Sequence, residues 1–204
     1  MTFEDGLKLV KLRGEAMQEA AAVGKQAMLS VAGLDFATLD PLCKAAAKST
    51  GGVCQIANCL FPKGYSVGGT EDAIKILEGE AMKAGALQAK ILKTSGAFHT
   101  PLMQPAQDKL TAALEATLPN MKPPMHTVWM NAAAEPMRPG CSPEDIVALL
   151  KKQLTCPVLW EQSVAEIIKE GVKEFYEVGP MKQIKAMMKR IDMPAWKNMT
   201  NIEV

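Results

Sequence analysis

Two side chains of this chain suit proton transfer or anion binding. His99 stands in the small-residue loop 95–101 directly before a predicted helix, a usual place for a general base at the end of a parallel strand. The other histidine, His126, falls in a predicted strand over 126–130 and is interpreted as structural. Arg13 has the apolar helical neighbours Leu9, Ala16 and Met17. It is therefore either an arginine with a structural role or the bidentate ligand of a substrate carboxylate.

A possible nucleophile is Ser66, because residues 64–68 read Gly-Tyr-Ser-Val-Gly and fit the G-x-S-x-G pattern of hydrolase elbows. An elbow needs a helix immediately after the serine, whereas Gly68 and Gly69 separate Ser66 from the predicted helix cap at Thr70. The context favours a hairpin strand, and a serine esterase using Ser66 stays as an alternative.

Apolar periodicity predicts the elements that position these residues. A helix over 2–22 begins with a capping box formed by Thr2 and Asp5. The order β-α-β-β-α-β follows between residues 24 and 94, which is typical of a ferredoxin-like unit. Its predicted strands are 26–32, 53–60, 65–68 and 89–93, and its helices are 35–48 and 70–85.

Beyond residue 95, strands and helices alternate, which predicts a parallel sheet covered on both faces. The predicted strands are 126–130 and 174–178, and the helices are 102–118, 142–154, 163–170 and a last helix over 182–191. That last helix carries a basic stripe of Lys182, Lys185, Lys189 and Arg190. We interpret the stripe as a solvated face, with docking of an acidic protein as the alternative.

Composition excludes several classes of protein. The 204 residues are 48% hydrophobic and 22% charged, which is enough for a sizeable core. Their net charge of +1 gives no reason to expect nucleic acid or an anionic membrane as a partner, and no apolar run approaches the ~20 residues of a membrane span. Five cysteines without a C-x-x-C pair argue against a disulfide framework or a zinc site and favour a reducing compartment.

Four stretches, in this order along the chain, resemble the malonyl-CoA:acyl carrier protein transacylase family: residues 9–18 (LVKLRGEAMQ), 95–103 (SGAFHTPLM), 153–160 (QLTCPVLW) and 177–180 (EVGP). The resemblance covers essentially the whole chain. It implies an α/β fold, in which residues 1–23 and 95–204 form part of an α/β-hydrolase-like parallel-sheet domain. Residues 24–94 would form an inserted ferredoxin-like subdomain.

The resemblance implies transfer of a malonyl group from malonyl-CoA to the phosphopantetheine thiol of acyl carrier protein, through a malonyl-serine ester and without a cofactor or metal. His99 matches the base, and Gln153 matches the glutamine whose backbone carbonyl orients that base. Arg13 matches the ligand of the malonyl carboxylate, and Asn58 matches an asparagine near the coenzyme A or pantetheine arm. The intact family member is expected to be a monomer.

The chain also departs from the family pattern. The family's serine elbow and glycine-rich oxyanion loop lie upstream of the helix with which this chain begins, so we expect a C-terminal part that is incomplete for catalysis. A truncated form that binds malonate and acyl carrier protein without turnover is the alternative. Met181 stands where a glycine often follows Glu-Val-Gly-Pro. Location stays open: the mitochondrion or plastid in a eukaryote, and the cytoplasm in a bacterium.

Overall fold

The computed structural model describes all 204 residues as mixed α/β structure. The elements in chain order are α1 (Phe3–Ala21), β1 (Gln26–Ala32), α2 (Phe36–Thr50), β2 (Cys54–Phe61), β3 (Gly64–Thr70), α3 (Glu71–Lys83), β4 (Gln88–Leu92), α4 (Gln104–Thr117), β5 (Val128–Met130), β6 (Glu135–Met137), α5 (Pro143–Lys152), β7 (Val158–Leu159), α6 (Trp160–Lys169), β8 (Phe175–Val178), α7 (Gln183–Ile191), α8 (Met193–Lys197) and β9 (Met199–Ile202). Single turns of 3-10 helix cover Pro101–Met103 and Leu118–Asn120. None of the helices combines the length and apolar character that a membrane crossing requires.

The main sheet has the strand order β4-β1-β3-β2-β7. Its first four strands pair antiparallel, and β7 adds to β2 in parallel. The predicted order β-α-β-β-α-β of these elements is therefore confirmed. Because side chains alternate between the faces of a strand, one face buries Leu29, Val31 and Val67 in the core that includes residues of α2 and α3. The opposite face carries Gln26, Gln55, Ser66 and Gly68, and it adjoins the His99 loop.

Helix α1 packs on α4 through small residues. Ala16 and Ala20 are almost fully buried against Leu110 and Leu114, and the predicted capping box of Thr2 and Asp5 is formed. The opposite face of α1 is exposed and apolar at Phe3, Leu7 and Val10. This helix brings Arg13 to the same region as the loop before α4.

The parallel sheet predicted beyond residue 95 is not formed by these residues. The large sheet is mostly antiparallel, β5 and β6 form a separate antiparallel pair, and β8 and β9 form a separate parallel pair. These strands are only two to four residues long. Each contributes few ladder hydrogen bonds, so pairing stays local instead of extending into one sheet. The helix α7 is also not the last element, because α8 and β9 follow it.

The interpretation of His126 was also wrong. His126 is not in a strand: it lies exposed in a bend, two residues before β5 begins. The basic stripe is exposed at Lys182, Lys189 and Arg190, as interpreted, and half-buried at Lys185. Three of its side chains also contact the protein. The ammonium of Lys185 donates to the carbonyl of Met199, Lys189 lies 5.0 Å from the centre of the Trp196 ring, and Arg190 lies 3.8 Å from that of Phe61.

Candidate active site

The loop between β4 and α4 holds His99 in a left-handed backbone conformation, with φ of 59°. For a residue other than glycine this conformation costs about 1–2 kcal/mol, and it persists only where the surroundings enforce it. The neighbouring Thr100 is fully buried, donates its hydroxyl to the carbonyl of Ala97 at 2.6 Å and accepts the amide of Leu102 at 3.3 Å. These bonds fix the loop at the residue next to the histidine.

The imidazole of His99 is oriented by Gln153, at the end of α5. Its Nδ1 lies 2.7 Å from the backbone carbonyl oxygen of Gln153. A carbonyl oxygen only accepts hydrogen bonds, so Nδ1 carries the proton and donates it. In the neutral ring this leaves Nε2 without a proton and able to accept one, which is the tautomer that a general base requires.

The electrostatic surroundings keep this histidine neutral. Burial lowers the pKa of His99 below its ordinary value, and the positive charge of Arg13 lowers it further. The backbones of Gln153 and Cys156 oppose this effect by hydrogen bonding, but the pKa stays lowered. His99 is therefore neutral near pH 7 and able to accept a proton.

Arg13 has an unused hydrogen-bond donor beside a cavity. Its side-chain Nε is buried and has no hydrogen-bond partner, and burial lowers the pKa of the guanidinium. The cavity measures about 210 Å³ and is lined by Arg13, Gln153 and apolar side chains of α1, α4 and α5, among them Leu9 and Leu110. A buried cationic donor without a partner is suited to binding an anion that enters this cavity.

Asn58 and Ser66 face each other on neighbouring strands away from this cavity. The Asn58 amide donates a hydrogen bond to the Ser66 hydroxyl, and no hydrogen bond joins Asn58 to His99, Gln153 or Arg13. Ser66 is 5% exposed in the middle of β3, which pairs with β1 on one side and with β2 on the other. The hairpin interpretation is confirmed, and Ser66 is not on an elbow between a strand and a helix.

Two glutamines that the sequence did not single out hold the His99 loop from the sheet below it. Gln55 Nε2 lies 3.1 Å from the carbonyl of His99 and 3.1 Å from that of Thr155. Gln26 accepts the amide of Ala97 at 3.0 Å and donates to carbonyls at the end of α1. The sequence signal was the presence of polar residues on one face of each strand, opposite an apolar face. No group of three or more histidine, cysteine or acidic side chains is arranged to hold a metal ion.

The chain is similar in sequence to known malonyl-CoA-acyl carrier protein transacylases. No family model matches the chain. The chain is 37% identical to the mitochondrial malonyl-CoA-acyl carrier protein transacylase of Homo sapiens, in an alignment covering 100% of this chain and 54% of the human protein. It is 33% identical to the malonyl CoA-acyl carrier protein transacylase of Bacillus subtilis, in an alignment covering 94% of this chain and 59% of the bacterial protein.

Solved structures agree with these sequence comparisons. The malonyl CoA-acyl carrier protein transacylase of Coxiella burnetii superposes with a TM-score of 0.89 at 32% identity, over 99% of this chain and 61% of that one. A malonyl-transacylase in complex with a type II polyketide synthase acyl carrier protein superposes with a TM-score of 0.86 at 31% identity, over 100% of this chain and 62% of the transacylase. The chain thus spans between about half and three fifths of the length of the relatives it matches.

Proposed function

Because its homologues over the whole chain are malonyl-CoA-acyl carrier protein transacylases, we propose that this chain serves the transfer of a malonyl group from malonyl-CoA to acyl carrier protein. The observation that carries the proposal is the pairing of an oriented neutral histidine with an unpartnered guanidinium. His99 is oriented by the carbonyl of Gln153, and Gln153 lines the same cavity as Arg13, whose Nε has no partner. A base and a carboxylate ligand are two of the groups that malonyl transfer through a serine ester uses.

In this proposal His99 Nε2 acts twice as the base. It first takes the proton of a serine hydroxyl that attacks the malonyl thioester, and it gives that proton to the sulfur of the departing coenzyme A. It then takes the proton of the phosphopantetheine thiol that attacks the malonyl-serine ester, and it returns this proton to the departing serine oxygen. The His99 ring has no hydrogen bond to a serine hydroxyl of this chain. The resemblance assigns the acylated serine to a part of the relatives that this chain does not match.

Arg13 would select malonyl over acetyl groups. A malonyl carboxylate can accept the unused Nε–H, whereas an acetyl group leaves the donor without a partner. A hydrogen bond to a charged group contributes about 1.5–3 kcal/mol, which corresponds to a preference of about 10- to 150-fold. Asn58, with its amide group held by Ser66, would lie along the path of the coenzyme A or pantetheine arm.

The domain arrangement is part of the proposal. Residues 24–94 would form a ferredoxin-like subdomain, supported by the strand order β4-β1-β3-β2 and by the helices α2 and α3 on one face. Residues 1–23 and 95–204 would form the remainder of an α/β-hydrolase-like acyltransferase domain. The cavity beside Arg13 lies within this remainder, while the sheet of the subdomain supports the His99 loop.

The proposal is tested by calorimetric titration of the chain with malonyl-CoA and with acetyl-CoA. We expect malonyl-CoA to bind at least about tenfold more tightly. Arg13→Ala should abolish that difference. A matched control is Arg138→Ala, which removes an exposed arginine paired with Glu170, and it should keep the difference. Equal affinities for the two thioesters in the unmodified chain would overturn the assignment.

A mass measurement separates binding from acylation. The chain is incubated with malonyl-CoA, its intact mass is determined, and hydroxylamine treatment distinguishes an ester from a noncovalent adduct. We expect binding without an ester, because the His99 ring contacts no serine hydroxyl. A malonyl ester on Ser66 would contradict our assignment of the residues.

A further inference from the structure

We propose that Gln55 is a positioning residue whose side-chain amide holds His99 in the orientation and tautomer of a base, an inference that rests on the proposed role of His99. The amide nitrogen of Gln55 lies 3.1 Å from the carbonyl oxygen of His99 and 3.1 Å from that of Thr155. These partners are 44 and 100 residues away along the chain. One side chain of β2 thus joins the histidine loop to the turn that follows α5.

The chemistry of the contact requires an amide group. Both partners are carbonyl oxygens, which only accept, so only the NH₂ end of Gln55 can face them. Its two hydrogens satisfy one carbonyl each. A carboxylate at this position would offer no donor and would repel both oxygens, and an apolar side chain would leave two part-buried carbonyls without partners.

These hydrogen bonds close a ring of contacts around the imidazole. Gln55 binds the His99 carbonyl, His99 Nδ1 donates to the carbonyl of Gln153, and the chain continues from Gln153 to Thr155, whose carbonyl returns to Gln55. The ring fixes the separation between the histidine backbone and the carbonyl that orients its side chain. Removing Gln55 opens the ring at the point where His99 has its left-handed backbone conformation.

Other contacts hold the His99 loop and the turn at Thr155 in place when Gln55 is removed. Gln26 holds the amide of Ala97 at 3.0 Å, and the Thr100 hydroxyl is bonded within the loop. The Thr155 hydroxyl donates to the side chain of Gln107 on α4. A Gln55 variant should therefore fold and lose only the local alignment of His99 with Gln153.

The alignment determines which ring nitrogen carries the proton. A bond from Nδ1 to the Gln153 carbonyl places the proton on Nδ1 and leaves Nε2 free. Without the two hydrogen bonds from Gln55, the Gln153 carbonyl no longer selects Nδ1. Part of the neutral His99 population then carries its proton on Nε2. That form cannot accept a proton at Nε2.

The test is long-range ¹H–¹⁵N correlation of the chain labelled with ¹⁵N-histidine, at a pH where His99 is neutral. The chain has two histidines, so His126→Gln assigns the spectrum. We expect a single Nδ1–H tautomer for His99. In Gln55→Met the ratio of Nδ1–H to Nε2–H should fall about fivefold or more, the equivalent of one hydrogen bond. The control Ser163→Ala removes another buried donor to a carbonyl, at 2.8 Å from Leu159, and should leave the ratio unchanged.

A folded Gln55→Met chain with the unaltered tautomer ratio would overturn the inference, as would an Nε2–H tautomer in the unmodified chain. If Gln55→Met does not fold, the near-isosteric Gln55→Glu gives the same test, because its carboxylate also lacks donors. The measurement uses no substrate. Failure of the titration with malonyl-CoA would overturn the proposed function and leave the tautomer result standing.

Discussion

The His99 loop rests on Gly68 of β3, where there is no room for a side chain. A Cβ atom at this position would lie 2.8 Å from Thr100 Cγ2, 3.3 Å from the carbonyl oxygen of Phe98 and 3.4 Å from Ala97 Cβ. Thr100 cannot rotate away, because it is fully buried and its hydroxyl is bonded to Ala97. We therefore expect Gly68→Ala to push the loop off the sheet.

The size of the effect follows from two opposing contributions. Inserting a methyl group into a closely packed contact costs about 1–3 kcal/mol. The lower backbone entropy of alanine in the unfolded chain returns about 0.5–1 kcal/mol. The free energy of unfolding should therefore fall by about 1 kcal/mol, and by at most about 2.5 kcal/mol. Each kcal/mol lowers the Tm of a chain of this size by about 2–4 °C.

Urea unfolding measures this change as a lower midpoint at an unchanged slope. Gly79→Ala is the matched control, because Gly79 is exposed within α3 and a Cβ there meets no atom within 4 Å. It should gain about 0.5–1 kcal/mol from the better helix propensity of alanine. If Gly68→Ala gains as much as Gly79→Ala, then the loop does not rest on this glycine as described.

Three further predictions concern the site and the turn after β8. Arg13→Ala should raise the pKa of His99, because it removes a positive charge that lowers it, and an NMR titration with an equal or lower pKa would contradict this. Met181→Gly should raise the free energy of unfolding by about 0.5 kcal/mol, because Met181 has a φ of 74° that glycine adopts without strain. A lower denaturation midpoint would contradict the strain at Met181. Glu177→Ala should lower the free energy of unfolding by about 1 kcal/mol, because the Glu177 carboxylate accepts hydrogen bonds from two backbone amides at the start of α7. An unchanged Tm would contradict this capping role.

The elements between residues 24 and 94 could be predicted because each has enough residues for its apolar period to be read. Strand β1 was predicted over its observed range, and β3 was predicted two residues too short at its carboxyl end. Strands β6, β7 and β9, of two to four residues, were missed, whereas the equally short β5 and β8 fall within the predicted strands 126–130 and 174–178. Strand β7 forms by pairing with β2, a partner distant in sequence. Such strands depend on the tertiary structure.

The residues of the candidate site were also only partly predictable from the sequence. His99 and Arg13 could be selected from their residue types and immediate neighbours, and the resemblance added Gln153 and Asn58. The role of Gln55 could not be predicted, because its two partners are determined by how the sheet packs against the histidine loop. In the basic stripe of α7, the spacing of the charges predicted the exposure of Lys182, Lys189 and Arg190, but it did not predict the hydrogen bond from Lys185 to the carbonyl of Met199.

The two hydrogen bonds of Gln55 also bear on the order in which the chain folds. Its bond to Thr155 closes a loop of 100 residues, whereas the helices and the hairpin of β2 and β3 close over short distances. Contacts of such sequence separation lose the most chain entropy on forming, so they tend to form late. Slow exchange of the His99 ring proton with solvent would then report completion of folding, and a chain with native helix content but a rapidly exchanging ring proton would be one whose final docking step has not occurred.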